Sequence, residues 1–579
     1  MIKQIQKILL LVILISISLH AKEYFVTTSA ELSSAISLSK PGEVIVMKNG
    51  TWANITINFQ NNGIAGSPIT LKAEKTGEVI ISGKSNLRIA GNYLVVDGLV
   101  FKNGYSASSQ AVVEFRTSSG IESNYSRLTN TSIVDYNPTD TKTDYKWISL
   151  YGTHNRVDHC YLKGKTHIGT TLVVWLSNKP NYHLIDSNYF AFRPVFPENG
   201  AETIRIGTSD WSMYDSFTTV EYNYFEECNG ETEIISSKSC GNIYRYNTFK
   251  NCQGTLTLRH GNRCTVEGNY FFCGKKTDSG GIRIIGEDHK VINNYIEDSY
   301  GTSYKAGITL MNGVPNSPLN RYFQVKRAVV AFNTVVNAKS SLNIGAGKSA
   351  ELSLPPIDCI IANNIFYSTL SPLVTFTDAP INVTWNGNVF SWATIGMNLP
   401  ADNYNFNPQL VKGSDNIYRL QAGSLAIDKA NVNYNYVAKD FDGQTRIVND
   451  IGADEFSNDP ITIKPVGPKE VGPEYLRATS IENGKGKTIP AEFRLEQNYP
   501  NPFNPTTEIQ YKVKNAAHVT LKVYDMLGRE LAKLVDEYKQ AGSYNSQFSI
   551  FNSQFSSGVY FYTFEAGDYS QTKKMILLK

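Results

Sequence analysis

The sequence predicts an all-β protein, with a long right-handed parallel β-helix followed by a small C-terminal β-sandwich. From about residue 87 to residue 390, short apolar runs alternate with Asn, Gly, Asp and Ser, and helical periodicity is almost absent. An asparagine recurs along this stretch at intervals suited to the coils of a solenoid. Beyond residue 456 the composition changes abruptly, which separates a second folded part from the first.

The repeat consists of an asparagine followed by an aromatic or β-branched residue, spaced 35, 24, 22, 25, 39, 31 and 24 residues apart. Leucine-rich repeats have a similar period, but they need Leu at fixed intervals, which this chain lacks. In a parallel β-helix, each Asn amide can stack on its copy one coil away while the next residue enters the core. The repeat asparagines are Asn188, Asn223, Asn247, Asn269, Asn294, Asn333, Asn364 and Asn388.

Seven cysteines, an odd number in a long chain, argue against a disulfide framework. Cys228 and Cys252 each follow a repeat asparagine by five residues, so we expect them to be stacked, buried thiols. Zinc sites usually need paired CxxC motifs, and the chain has none.

The N-terminus has the pattern of a secretory signal. A basic start precedes an apolar run from Ile8 to Leu19 and a small residue at Ala21, so residues 1–21 are predicted to be removed. The alternative, a membrane anchor, is disfavoured because the run is short for a bilayer. The formal charge of +3 does not indicate a nucleic-acid partner.

The composition divides the mature chain into three parts. We assign residues 22–455 to the β-helix, which would be the catalytic domain, and residues 456–490, rich in Pro, Gly, Lys and Glu, to a linker. Strand-like alternation in residues 491–579 predicts the β-sandwich.

Three motifs mark this last segment: an Asn/Pro-rich stretch at 493–505, a strand with a Leu-Gly turn at 523–531, and an aromatic strand at 557–562. Together they resemble the C-terminal sorting domain of type IX secretion substrates. The resemblance implies transport across the outer membrane by the type IX machinery, to the medium or the cell surface. The alternative is a β-sandwich carbohydrate-binding module.

The densest set of polar residues lies between Asn199 and Arg283. Glu231 and Glu233 are two positions apart on a predicted strand and therefore share a face. Their repulsion is costly unless a cation lies between them, and carboxylate oxygens suit Ca²⁺. The alternative for these two residues alone is a solvated acidic face.

Basic residues recur at the coil spacing in the same region. Lys238, Arg259 and Arg283 are separated by 21 and 24 residues, which predicts neighbouring coils at nearly the same angular position. Like charges about 4.8 Å apart repel, so such a column is seldom kept for structure alone. Solvated surface cations are the alternative.

A cation site beside basic groups suits β-elimination of a uronic-acid polymer. The C5 proton is weakly acidic, so the adjacent carboxylate must be neutralised before a base removes the proton. Lysine can act as the base when nearby cations lower its pKa. A second group must assist departure of the bridging O4.

The Glu-x-Glu-x4-Lys block and the Arg-His-Gly block that follows it resemble polysaccharide lyase family 6, over residues 23 to 455. This family contains alginate lyases and a dermatan-cleaving chondroitinase. The roles that the resemblance implies are Ca²⁺ ligands for Asn199, Glu231 and Glu233, general base for Lys238, general acid for Arg259, and substrate contacts for His260 and Arg283. Arginine is a poor proton donor at neutral pH, so the alternative for Arg259 is that it stabilises developing charge on O4 while water supplies the proton.

The segment Asn199–Gly207 resembles the alginate branch of the family, with Ala201 where Gly is common. The resemblance thus implies a secreted, calcium-dependent alginate lyase that leaves 4,5-unsaturated uronate ends. The alternatives are a chondroitinase B-like dermatan sulfate lyase and a non-catalytic β-helix adhesin. Hydrolytic β-helices use clustered Asp pairs, and no such cluster replaces Lys238 and Arg259.

Overall fold

A computed structural model describes residues 22–107, 109–431, 434, 436–477, 492–504, 506–539, 541–549 and 556–578. The predicted signal, residues 1–21, and residues 478–490 of the predicted linker lie outside the described residues. The chain divides into two compact units, residues 1–477 and residues 478–579.

The first unit is the predicted parallel β-helix, built from three long parallel sheets. Successive coils each add a strand, so every side-chain position is repeated one strand spacing further along the axis. The first sheet contains Glu23–Val26, Val44–Met47, Ile69–Ala73, Leu94–Asp97, Arg127–Thr129, Arg156–Asp158, Leu184–Asp186, Thr219–Glu221, Ile243–Arg245, Thr265–Glu267, Lys290–Ile292, Val329–Ala331, Ile360–Ala362 and Thr384–Asn386.

The second sheet, called here the site sheet, carries the polar constellation found in the sequence. Its strands are Thr56–Asn62, Asn86–Asn92, Val113–Glu114, Ser123–Asn124, Ile148–Leu150, Leu172–Val174, Ile204–Ile206, Glu233–Lys238, Gly254–His260, Ser279–Ile284, Ile308–Met311, Leu342–Ala346 and Val374–Phe376. The third sheet contains Gly50–Ala53, Val79–Lys84, Leu99–Tyr105, Ser132–Val134, Tyr161–Lys163, Tyr189–Arg193, Tyr224–Cys228, Thr248–Lys250, Tyr270–Phe272, Tyr295–Glu297, Thr334–Val336, Ile365–Ser368 and Val389–Trp392.

An α-helix, Ser29–Leu38, covers the N-terminal end of the solenoid. The Thr28 side chain caps it by accepting a hydrogen bond from the Glu31 amide. Leu32 and Ile36 face the core, so the helix shields an edge that would otherwise be open to another strand. Short 3₁₀ turns at Ser209–Trp211 and Ser303–Lys305 and a hairpin of Leu410–Lys412 with Tyr418–Leu420 complete the unit.

The predicted asparagine ladder is confirmed. Each Asn side-chain amide donates to the side-chain oxygen of the next Asn, and that same oxygen accepts the backbone N–H. The ladder extends one step beyond the prediction, to Asn403. Its members are Asn188, Asn223, Asn247, Asn269, Asn294, Asn333, Asn364, Asn388 and Asn403.

The core beside the ladder is also stacked. The rings of Phe190, Phe225, Phe249 and Phe271 follow one another with centroids 4.9, 4.7 and 4.5 Å apart. The prediction for the cysteines is confirmed, since the Cys228 amide donates to Cys252 Sγ and both thiols are buried. All seven cysteines are free and buried.

The early part of the predicted linker lies against the β-helix. The Gly472 amide donates to the Ser187 carbonyl at 2.8 Å, and the Tyr475 hydroxyl hydrogen-bonds the Ser132 hydroxyl. Among the described residues, no helix has the length and apolar character needed to cross a membrane.

The second unit is antiparallel, and its apolar core draws side chains from both of its sheets. One sheet contains Arg494–Leu495, Thr506–Val513 and Gly542–Ser549, and the other contains Ala517–Tyr524, Glu530–Lys539, Gly558–Ala566 and Tyr569–Leu577. The fold class predicted from the sequence is therefore confirmed for both parts.

Candidate active site

The site lies at the middle of the site sheet, where four adjacent coils contribute the strands Ile204–Ile206, Glu233–Lys238, Gly254–His260 and Ser279–Ile284. The pairing between the second and third of these strands shifts register near Glu233 and again just before Lys238. Such irregularities redirect side chains locally, as is common next to functional sites.

Three carboxylates converge here. Ligand oxygens of Glu202, Glu231 and Glu233 all lie within 4.8 Å of one another. Burial, together with the charges of Glu202 and Glu233, raises the pKa of Glu231 to about 7, although the Gly200 N–H donates to its carboxylate at 2.8 Å. The group therefore needs positive charge nearby to remain fully ionised.

Glu202 was missed by the sequence prediction, which named Asn199, Glu231 and Glu233. Asn199 is exposed and lines a cleft of about 420 Å³ together with Glu231 and Glu233. Glu202, only 1% exposed, closes the cluster. The signal was present in the sequence, because Glu202 belongs to the same motif as Asn199 and precedes Glu233 by one long coil.

The predicted cations surround the carboxylates. Lys238 Nζ lies 3.5 Å from Glu202 Oε1. Arg259 Nε and Arg283 Nη1 lie 3.5 and 3.6 Å from the same oxygen of Glu233. The structure thus brings all three predicted basic residues to one place.

They do not form the single column that their spacing predicts, and that expectation is wrong. Thr257, not Arg259, pairs with Arg283, and Lys238 pairs with His260 after the register shift. The shift moves Lys238 towards Glu202 while the two arginines share Glu233. The attraction of the carboxylates offsets the repulsion that the sequence analysis anticipated.

A loop between the coils holds the two arginines. The Arg259 guanidinium lies 4.0 Å from the centre of the Tyr322 ring and donates to the Arg321 carbonyl at 3.1 Å. Arg283 donates to the Tyr322 hydroxyl at 3.1 Å. Burial lowers the pKa of Arg259 from its ordinary value. Tyr322 was not predicted, because nothing in its local sequence marks its approach to Arg259.

His260 is turned into the protein. Its ring is 1% exposed and lies 3.3 Å from the Ser209 hydroxyl and 3.4 Å from Arg259 Nη1. Burial, followed by the charges of Arg259 and Lys238, lowers the pKa of His260 to about 2. The imidazole is therefore neutral, and its role as a substrate contact stays a prediction.

The donor set fits a hard divalent cation. Glu202 Oε2 is buried and has no hydrogen-bond partner among the described residues. An acceptor in that position is costly to bury unless a cation satisfies it. Three carboxylates with a nearby amide oxygen, at Asn199, are the ligand types that Ca²⁺ takes.

A second acidic cluster, Asp440, Asp442 and Asp454, differs in this respect. Arg419 donates to Asp442 at 2.5 Å, and the Leu420 amide donates to Asp454 at 2.7 Å. Asp440 accepts backbone N–H groups. This cluster is already satisfied by protein donors and is a structural element.

Comparison with protein families gives two matches. A model of the chondroitinase B family matches residues 26–430, and a model of the secretion system C-terminal sorting domain matches residues 497–578. The sorting domain indicates export by the type IX system, with release or attachment at the outer membrane. Comparison with curated proteins gives no match.

Solved structures with the same solenoid include several lyases. The family 6 alginate lyase AlyGC is 35% identical, with a TM-score of 0.70 over 78% of this chain and 59% of that chain. A mannuronic acid specific family 6 lyase from human gut microbiota is 34% identical, with a TM-score of 0.57 over 64% of this chain and 86% of that chain. Pedsa3628 from Pseudopedobacter saltans, a family 6 polysaccharide lyase, is 28% identical, with a TM-score of 0.57 over 78% and 99%. This chain therefore spans 59% of the length of AlyGC.

Proposed function

The chain belongs to the chondroitinase B family, polysaccharide lyase family 6, and from that membership we propose that it is a secreted, calcium-dependent alginate lyase. The observation that carries the proposal is the approach of Lys238 to Glu202 and of Arg259 to Glu233 within one cluster of three carboxylates. A structural ion-pair network has no need of an unsatisfied carboxylate oxygen such as Glu202 Oε2.

Lys238 is the proposed base. After losing its own proton, Nζ accepts the C5 proton of the uronate, the C4–O4 bond breaks, and a double bond forms between C4 and C5. The electron pair of the broken bond remains on O4. Glu202, 3.5 Å away, positions Nζ at the edge of the cluster. A Ca²⁺ ion held by Glu202, Glu231, Glu233 and Asn199 would neutralise the uronate carboxylate and so make the C5 proton more acidic.

Arg259 is proposed to stabilise the negative charge that develops on O4. Its guanidinium is fixed by Glu233, by the Tyr322 ring and by the Arg321 carbonyl, so it needs little rearrangement during the reaction. Water then protonates O4. Arg283, held between Glu233 and Tyr322, is the proposed contact for the substrate carboxylate.

Alginate is the favoured substrate because AlyGC, the similar solved structure quoted above, is described as an alginate lyase and the gut enzyme as mannuronic acid specific. The second candidate is dermatan sulfate, which the chondroitinase B description of the matching family favours. Both polymers present a carboxylate at C5 and a bond to O4, so one mechanism serves either.

The test is a screen of the full chain on alginate, dermatan sulfate and polygalacturonate, monitored by ultraviolet absorbance of the unsaturated product. We expect alginate to be cleaved, and expect Lys238→Ala and Arg259→Ala each to lose nearly all activity with unchanged far-ultraviolet circular dichroism. Lys179→Ala, in an exposed loop, is the matched control. Near-wild-type turnover by Lys238→Ala would refute the base assignment, and cleavage of dermatan sulfate alone would select the second candidate.

A further inference from the structure

A row of aromatic and cationic side chains continues the face of the site sheet towards the N-terminus. The Tyr151 and Trp175 rings stack with centroids 5.9 Å apart and an interplanar angle of 13°. The Arg116 guanidinium lies 3.8 Å from the centre of the Tyr151 ring, and that of Arg205 lies 5.4 Å from the Trp175 ring. We call these four residues the N-terminal row.

The row is aligned with Lys238. Across three successive coils, Val174 pairs with Ile206 and Ile206 pairs with Ser237. The Gly207 amide continues this strand pairing by donating a hydrogen bond to the Val174 carbonyl. The residues that follow these three, Trp175, Gly207 and Lys238, therefore occupy one column. Gly207, at φ 87°, contributes no side chain between the aromatic pair and Lys238.

Charge in the row is suited to an anionic ligand. Arg116 and Arg88 share Glu114 at 2.7 and 3.0 Å. Arg205 Nε is buried and has no hydrogen-bond partner among the described residues. A buried guanidinium nitrogen without an acceptor is costly, and carboxylates are the acceptors that arginine binds best.

We propose that the N-terminal row is a binding surface for the anionic polysaccharide, occupied by the sugar units that extend from the bond that is cut towards the N-terminal coils. The inference rests on the proposed function. Arg116 lies four coils from the strand of Lys238, or about 19 Å at a strand spacing of about 4.8 Å. Arg205 lies one coil and Trp175 two coils from that strand, so a polymer lying along the helix axis reaches the whole row, whereas a short oligomer held at Lys238 does not reach Arg116.

The rings and the guanidinium groups supply complementary contacts. Aromatic rings offer apolar surface to the C–H groups of a sugar, and Arg205 offers donors to its carboxylate. Contacts two to four coils from the reacting bond, at Trp175, Tyr151 and Arg116, are made equally in the ground state and the transition state, so they lower KM without raising kcat.

The experiment uses the full chain and oligouronates from trimers to polymer. Trp175→Leu and Arg116→Gln are expected to raise KM for polymer about five- to tenfold, with kcat changed less than about twofold, as loss of one stacking or cation–π contact implies. The effect should shrink as the oligomer shortens. Trp392→Leu, at a 63% exposed tryptophan on the third sheet, is the matched control.

An unchanged KM for polymer in both variants would overturn the inference, as would an equal loss of kcat/KM at every length. Arg116→Gln carries the test if Trp175→Leu lowers the melting temperature. If the wild type cleaves no uronan, the proposed function fails, and affinity electrophoresis in alginate or dermatan sulfate gels then decides the inference. In those gels, the Lys238→Ala/Trp175→Leu double variant must be retarded less than the Lys238→Ala variant. Equal retardation of the two variants, or no retardation of either, refutes the proposed binding at the N-terminal row.

Discussion

Replacing Glu202 with glutamine distinguishes a cation site from a closed ion-pair network. Two carboxylates within 4.8 Å repel by at least about 3.5 kcal/mol at an effective dielectric constant of about 20, and Glu202 faces two of them. The same expression gives an attraction of about 5 kcal/mol to Lys238 at 3.5 Å. Without a bound cation, these two repulsions together exceed the attraction to Lys238.

Glu202→Gln should thus leave the melting temperature in chelator unchanged or slightly higher. Its affinity for Ca²⁺ should fall at least about 100-fold, since loss of a group that only supports a metal ligand already costs about 10- to 100-fold. Isothermal titration calorimetry of chelator-stripped protein measures the affinity, and differential scanning fluorimetry measures the melting temperature.

Glu221→Gln is the matched control, because Glu221 pairs with Arg245 on the first sheet, away from the cluster. It should bind Ca²⁺ as the wild type does. If Glu202→Gln retained wild-type Ca²⁺ affinity and lost several degrees of melting temperature, Glu202 would be a salt-bridge partner of Lys238 and the reasoning would fail.

Three further predictions concern the ion, the ladder and acid stability. Chelation should abolish cleavage with little change in melting temperature, and Ca²⁺ should restore activity better than Mg²⁺, whose smaller octahedral shell holds water more tightly. Asn247→Ala should cost about 2–5 kcal/mol in denaturant unfolding, because it removes the Asn247 partners of the buried Val220 carbonyl and of the buried Asn223 backbone N–H. Burial alone would raise the pKa of Asp158, but hydrogen bonds from Arg127 and His159 outweigh it and lower the pKa to about 2. Because that value lies below the pKa of Asp in the unfolded chain, ionised Asp158 stabilises the fold by about 2 kcal/mol above pH 4, and this stabilisation is lost as the pH falls towards 2. Asp158→Asn should lack this acid-sensitive contribution to the free energy of unfolding.

For each of these three predictions, a specific result would contradict it. Full activity of verified metal-free protein would remove calcium from the mechanism. Asn178→Ala, at an exposed loop position, is the control for the ladder and should change stability by less than about 0.5 kcal/mol. An Asn247→Ala cost that small would show that the ladder is dispensable. Parallel stability curves for wild type and Asp158→Asn between pH 6 and pH 3 would refute the assigned ionisation.

Much of the site was predictable because its components follow the coil repeat. Glu231 and Glu233 are two positions apart on one strand, so they were expected to converge wherever the strand lay. Lys238, Arg259 and Arg283 recur at the coil spacing, which brought them to one region. Their individual partners were not predictable, because each depends on register.

The sequence by itself determined the solenoid, its asparagine ladder, the stacked cysteines and the change to a second unit at the C-terminus. Each of these features either follows a regular local spacing or marks the place where that spacing ends. A helix of parallel strands converts equal spacing along the chain into contact between coils. The tertiary structure alone decided that Glu202 joins the cluster, that Lys238 faces it, and that Tyr322 holds both arginines. Those contacts depend on a register shift of one residue beside Lys238 and on the path of the long insertion between Asn294 and Asn333. Packing between coils determines both the register shift and the path of the insertion, and no local sequence pattern specifies that packing.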